Sequence, residues 1–231
     1  MTEAEWLASE DPNKLRHEFD AESARKWRLF ACACMRRVWP LFPDDRSRGA
    51  VEVSELFADG LATDEELSEA FDHAQEAALR WYGGAEGVPD SCALLAACGV
   101  DIASEFRPPN GIPDHCAAAV AEAEVEYAAP HDAEEAAEWA RASEQAEQAT
   151  LFRDIFGNPF RPVAFDPAWR TDTAVSLARG MYDSRDFTAM PILADALQDA
   201  GCEDEQVLRH CREPRPHVRG CWVCDLVLGK A

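Results

Sequence analysis

The sequence predicts an all-α protein, and three observations support this fold class. Apolar residues recur at intervals of three and four, helix-capping residues precede these segments, and no apolar run has the features of a strand. The chain has 231 residues and 47% hydrophobic content, enough to bury a core without covalent links. We expect a multi-helix bundle of roughly 8–10 helices, with a long Ala/Glu-rich helix in the middle.

The first part of the chain, residues 1–112, contains its strongest amphipathic run. Thr2 and Glu5 have the spacing of a capping box, which predicts a short N-terminal helix. Apolar residues at helical spacing then predict a core helix over residues 24–39. Three further helices are expected at 44–59, 63–82 and 93–103. The residues that would face the core from 24–39 and its end are Trp27, Phe30, Ala31, Cys34, Val38 and Leu41.

The rest of the chain is also expected to be helical. Residues 113–156 are rich in Ala and Glu and predict one or two long helices, interrupted at Pro130. The breaker at 157–162 separates them from four predicted helices, at 166–182, 190–200, 203–211 and 217–228. We interpret residues 1–231 as a single helical domain. A possible subdivision is 1–112, 113–156 and 157–231.

The distribution of charge and the spacing of the cysteines limit which partners and which cellular compartment we expect. Residues 51–150 hold 23 acidic and three basic residues, and therefore carry −20 of the net charge of −22. Such a chain is a poor partner for nucleic acid or an anionic membrane surface, and no apolar run is long enough to span a bilayer. The nine cysteines are too irregularly spaced for a secreted disulfide framework. We expect a cytoplasmic protein with reduced thiols.

Basic residues alternate with aromatic residues in the amphipathic run, which has two interpretations. Lys26, Arg36 and Arg37 lie near Trp27 and Trp39, a pattern that could form a nucleic-acid-binding stripe. Alternatively, the basic residues form ion pairs with the acidic middle of the chain. The net charge opposes binding to phosphate and favours the ion pairs.

The sequence gives little support to catalysis. His73, His115 and the His131-Asp132 pair could be ligands of a helical metal-dependent phosphohydrolase, but His131-Asp132 follows Pro130, where capping a helix suits it better. The chain contains no nucleophile elbow, His-Glu-x-x-His motif, P-loop or dinucleotide fingerprint. We therefore lean towards a non-enzymatic protein.

Cysteine and histidine residues concentrate near the C-terminus, where they could bind a metal. His217, Cys221 and Cys224 lie on one side of the predicted helix 217–228, and tetrahedral zinc needs four nitrogen or sulfur donors of this kind. The same thiols could instead be packed in the core, as free cysteines usually are. The Cys221-x-x-Cys224 spacing also matches redox motifs, but the strand expected before such a motif is missing. The remaining donors in this region are Cys202, His210 and Cys211.

Four short motifs resemble a large bacterial family of hypothetical proteins. They are Phe30-Ala31-Cys32-Ala33-Cys34, the stretch 151–162 that reads LFRDIFGNPFRP, the stretch 191–197 that reads PILADAL, and the stretch 217–222 that reads HVRGCW. The family has no assigned activity, so the resemblance implies no catalytic residue. This chain departs from the pattern at Met35, where the family often has Cys, and at Cys224, where it often has an apolar residue. Together with helical geometry, the resemblance leaves Cys202, His217 and Cys221 as the expected metal ligands.

Three functional hypotheses follow. The first is a non-enzymatic acidic cytoplasmic protein, acting as an adaptor, regulator or accessory subunit through contacts with a partner that has a basic surface. The second is a zinc-binding helical domain, structural or catalytic, centred on the C-terminal Cys/His cluster. The third is a nucleic-acid mimic built from acidic helices.

Overall fold

The predicted all-α architecture is confirmed. The structure, a computed structural model, describes residues 1–16, 19, 24–42, 44–82, 111–127 and 132–230. These residues form eleven α-helices and two short 3-10 helices, at Trp39–Leu41 and Pro167–Trp169, and they contain no strand. The α-helices are α1 (Glu3–Ala8), α2 (Pro12–Leu15), α3 (Ala24–Arg37), α4 (Asp45–Ala58), α5 (Asp64–Tyr82), α6 (Ile112–Tyr127), α7 (Ala133–Phe156), α8 (Asp172–Ser184), α9 (Met190–Asp199), α10 (Glu205–Arg212) and α11 (Trp222–Leu228).

The chain divides into two compact units, Met1–Ala149 and Thr150–Ala231. The division falls inside α7, the long helix expected in the middle of the chain. Three features predicted from the sequence lie outside the described residues: the helix at 93–103, the interruption at Pro130, and His131. Within the described part of the chain, none of the helices is both long and apolar enough to cross a membrane.

The first unit is organised around α3, which packs against α4 and α6. Five of the predicted core residues are buried, namely Trp27, Phe30, Ala31, Cys34 and Val38. Three basic residues of α3 form ion pairs with acidic residues of the middle of the chain, which confirms that interpretation for Arg36 and Arg37. Arg25 pairs with Asp59, Arg36 with Glu55, and Arg37 with Glu144 and Glu147. The guanidinium groups of these three arginines are therefore neutralised within the unit.

The second unit packs α8 against α9 and α11, and α10 against α9 and α11. Its core is continuous and apolar, with Met181, Met190, Leu193, Leu197, Val207 and Val227 all buried. The predicted helix at 217–228 begins later than expected, at Trp222. Pro214 and Pro216 disfavour helix before this point, and Gly220 adopts a φ of 93°, which is outside the helical region. Residues 217–221 form a turn instead, in which the Cys221 N–H donates to the Val218 carbonyl at 2.9 Å.

Candidate metal centre

Four side chains of the second unit converge to form a candidate metal centre. One ligand atom each from Asp154, His210, His217 and Cys221 lies within 4.8 Å of the other three. The side chains of Asp154, His210 and His217 are 0%, 5% and 4% exposed, and Cys221 is fully buried. Among the described residues, this is the group of acidic, histidine and cysteine side chains that is compact enough to bind a metal ion.

Two helix ends and one turn bring these residues together. Asp154 lies in the last turn of α7, which ends at Gly157 with a φ of 71°, a conformation that glycine adopts at low cost. His210 lies in the last turn of α10, and the Asp204 carboxylate caps the other end of that helix. His217 and Cys221 are at the two ends of the turn before α11.

Tyr182 of α8 fixes this turn from the core side. Its hydroxyl accepts a hydrogen bond from the Gly220 N–H at 2.7 Å and donates one to the Asp225 carboxylate in α11. The Gly220 amide and the Tyr182 hydroxyl are both buried, so each would be costly to leave unpaired. This contact joins α8, the turn and α11 at the residue next to Cys221.

The contacts within the group converge on one atom of each side chain. Asp154 Oδ1 lies 2.6 Å from His217 Nδ1 and 3.2 Å from His210 Nε2. Cys221 Sγ lies 3.2 Å from the same His210 Nε2 and 3.9 Å from the same His217 Nδ1. In a tetrahedral zinc site with ordinary bond lengths, neighbouring ligand atoms are about 3.3–3.6 Å apart. The four atoms are therefore spaced on the scale of a four-coordinate site.

The other polar atoms of Asp154 and His210 have partners outside the group. The Val218 N–H donates to Asp154 Oδ2 at 3.0 Å, which leaves Oδ1 directed at the histidines. The indole N–H of Trp222 donates to His210 Nδ1 at 3.0 Å. His217 Nε2 is buried and makes no hydrogen bond with the described residues.

The group has a defined charge state in the protein alone. Burial acts to raise the pKa of Asp154, but hydrogen bonds from His210 and His217 outweigh it and lower the pKa to about 2. Burial acts to lower the pKa of His217, but the Asp154 carboxylate and Cys221 raise it to about 10. At neutral pH Asp154 and His217 therefore form a buried ion pair.

The protonation of His210 is subject to opposing influences. Burial opposes its charge, but Cys221 and Asp154 together raise its pKa. Trp222 acts in the other direction, because an indole N–H can only donate and needs an unprotonated Nδ1. A doubly protonated ring would lose this hydrogen bond. The Trp222 contact therefore defines a neutral His210 whose proton is on Nε2.

The cysteines of the site are buried thiols. Burial raises the pKa of Cys221 well above its ordinary value, and burial also raises the pKa of the neighbouring Cys211. Cys221 precedes α11, so the Cys221-x-x-Cys224 motif opens a helix, contrary to the sequence expectation that it lies within one. The segment before it is a turn. A thiol that is buried and protonated is a weak nucleophile, and a metal would have to displace its proton.

The structure brings together only part of the expected ligand set. His217 and Cys221 belong to the group, whereas Cys202 is buried in the apolar core of the unit and is not a member. His210, one of the C-terminal donors considered, is a member. Asp154 was missed, although one signal was present in the sequence: it is the acidic residue between Phe152 and Ile155 in an apolar run. A buried carboxylate must be paired or bound to a metal.

Comparisons of the chain with protein-family models, with curated proteins and with solved structures found no match.

Proposed function

We propose that the unit Thr150–Ala231 binds one Zn²⁺ ion through Asp154, His210, His217 and Cys221, and that the ion stabilises the fold of this unit. The observation that carries the proposal is the convergence of four ligand atoms, one from each residue, within 4.8 Å. The ligands come from α7, α10 and the turn before α11. One ion would therefore link the end of α7 to α10 and the turn, two neighbouring segments whose ligands lie more than 50 positions after Asp154 in the sequence.

The donor set favours zinc over other common metals. Two imidazole nitrogens, one thiolate sulfur and one carboxylate oxygen are typical zinc ligands at four-coordinate sites. Magnesium and calcium prefer six or more oxygen ligands, and this group offers one carboxylate. The mixture of nitrogen and sulfur donors therefore favours zinc at this site.

The burial of the site supports a structural role for the metal and a non-enzymatic protein. Catalytic zinc sites keep one coordination position open to water or substrate, whereas structural sites use four protein ligands. All four donors here are protein side chains, and the three oxygen and nitrogen donors are at most 5% exposed. A substrate would have to displace one of these ligands to reach the ion.

Metal analysis tests the proposal against a metal-free alternative, in which the same contacts are only a hydrogen-bonded network around the Asp154–His217 ion pair. The full chain is purified without a histidine tag and its bound metals are quantified. We expect about one equivalent of zinc, and a melting temperature that falls on chelation and recovers on zinc addition. Zinc below about a tenth of an equivalent, with no thermal response to added zinc, would contradict the proposal.

A second candidate function is contact with a basic protein partner through the acidic middle of the chain. The observation that favours it is Trp139 on α7, which is 69% exposed and lies beside the exposed carboxylates of Glu135 and Glu138. Exposed tryptophans often dominate protein interfaces, and the surrounding carboxylates would select a partner of opposite charge. The protein would then act as a cytoplasmic adaptor, regulator or accessory subunit.

The partner is tested by pull-down at low salt, comparing the wild type with Trp139→Ala and with the double charge reversal Glu135→Lys/Glu138→Lys. We expect a specific partner to be lost with both variants, while the zinc content of the protein is unchanged. Recovery of the same partner by all three proteins would remove this candidate. Competition between DNA and the protein for the partner would identify nucleic-acid mimicry.

A further inference from the structure

We infer that Trp222 lowers the zinc affinity of this site by holding His210 in a tautomer that cannot bind metal, and that zinc binding breaks the Trp222–His210 hydrogen bond. The inference rests on the proposed zinc site and adds its regulation. Its basis is the contact of 3.0 Å between Trp222 Nε1 and His210 Nδ1, which is buried on both sides.

The direction of this hydrogen bond fixes the proton on His210. Indole nitrogen is only a donor, so Nδ1 must accept, and the single proton of the neutral ring is on Nε2. Nε2 is the atom that faces both Asp154 Oδ1 and Cys221 Sγ, each at 3.2 Å. A protonated nitrogen can donate to these two groups but has no lone pair for a metal. The metal-free site is therefore stabilised in a state that excludes coordination through His210.

Zinc binding must reverse this arrangement. A metal on Nε2 requires the proton to move to Nδ1, where it would face the indole N–H as a second donor at 3.0 Å. Histidines that bind metals normally donate their other N–H to a carboxylate, a carbonyl or water, which is the opposite of the contact made here. Rotating the ring by 180° would place a carbon atom towards Asp154 and Cys221. The indole must therefore move when the metal binds a neutral His210 ring.

Trp222 contacts the end of α7, so movement of its indole ring would affect that helix end. A Cβ atom added at Gly157 would lie 3.3 Å from Trp222 Cγ, so the indole ring lies directly against the backbone that terminates the helix. The same helix carries Asp154 in its last turn. Displacement of the indole is thus coupled to the helix end that supplies a ligand, and metal occupancy would change the packing there.

The first test compares zinc affinities, measured by competition with a chromogenic chelator, for the wild type, Trp222→Phe and the control Trp169→Phe. Trp169 is a partly buried tryptophan of the same unit that packs on Phe165. We expect Trp222→Phe to bind zinc roughly threefold to tenfold more tightly, the equivalent of one neutral hydrogen bond, and the control to match the wild type. Equal or weaker binding by a folded Trp222→Phe variant would overturn the inference.

The second test needs no variant. ¹⁵N NMR of the wild-type histidine rings and indole N–H groups is recorded without metal and with saturating zinc. We expect His210 to carry its proton on Nε2 without metal and on Nδ1 with zinc, with a shifted Trp222 indole signal. An unchanged His210 tautomer at saturation would overturn the inference. If the wild type binds no zinc, the proposed function fails instead, which the same titration reveals.

Discussion

Asp154 Oδ1 lies 2.6 Å from His217 Nδ1, although the two residues are 63 positions apart in the sequence. Asp154 is fully buried and also accepts hydrogen bonds from His210 and from the backbone of Val218. A single carboxylate therefore connects the last turn of α7 with the last turn of α10 and with the turn before α11.

Replacing the carboxylate should remove both the ion pair and a metal ligand. We expect Asp154→Asn to lower zinc affinity by at least about a hundredfold and to destabilise the metal-free protein by about 3 kcal/mol, because the buried His217 loses the counter-ion that stabilises its charged form. Chelator competition and thermal unfolding measure the two effects. The matched control is Asp195→Asn, whose 71% exposed carboxylate pairs with Arg212. Similar changes in zinc affinity and thermal stability in both variants would argue against a central role for Asp154.

Substitution of the two cysteines in the expected ligand set should affect zinc binding differently. Cys221→Ser should lose zinc, by at least about a hundredfold in affinity, because Cys221 supplies the sulfur donor of the group. Cys202→Ser should keep the full zinc content, because that thiol lies outside the group. Metal content of the two purified variants, both checked for helicity by circular dichroism, decides between the sequence-derived set and the observed group. Loss of zinc from a folded Cys202→Ser variant would restore Cys202 as a ligand.

The metal-free protein should show a defined dependence of stability on pH. The pKa of Asp154 is lowered to about 2 from 3.8, so its contribution is present above pH 3.8 and is lost as the pH falls to about 2. The pKa of His217 is raised to about 10 from 6.5, so its contribution is complete below pH 6.5 and is lost as the pH rises to about 10. With chelator present, we expect the melting temperature to decrease by on the order of 5 °C from pH 6.5 to 9.

The His217→Gln variant provides the control for this pH dependence. It removes the group that titrates on the alkaline side, and should show a smaller decrease in melting temperature over the same range. Parallel pH curves for the variant and the wild type would show that another group controls stability in this range. Thermal unfolding followed by circular dichroism in the presence of chelator measures both proteins.

Tyr182 should position the turn that carries Cys221. In Tyr182→Phe the buried Gly220 N–H loses its acceptor and the Asp225 carboxylate loses a donor. We expect a loss of about 1–3 kcal/mol in unfolding free energy and weaker zinc binding, because the turn is less well held. Denaturant unfolding and chelator competition measure the two effects. Wild-type zinc affinity in a destabilised variant would limit Tyr182 to a role in stability.

The local sequence is enough to predict most of the helices. Helical periodicity, the Thr2–Glu5 capping box and the breaker at 157–162 are short-range signals, and the helices α1, α3, α4, α5 and α9 form where these signals place them. The ion pairs of Arg36 and Arg37 could also be anticipated, because the net charge of the middle of the chain is a property of composition. The start of α11 was misplaced because the turn depends on Gly220 at φ 93° and on its contact with Tyr182.

The sequence by itself determined the fold class and two of the four residues in the candidate site, His217 and Cys221, which lie close together in the chain. Only the tertiary structure added Asp154, selected His210 from the C-terminal donors and left out Cys202. The physical reason is that helical spacing relates residues a few positions apart, whereas a metal site needs atoms within a few ångströms of a single point. Here that proximity depends on how α7, α8, α10 and α11 pack, which no local pattern in the sequence specifies.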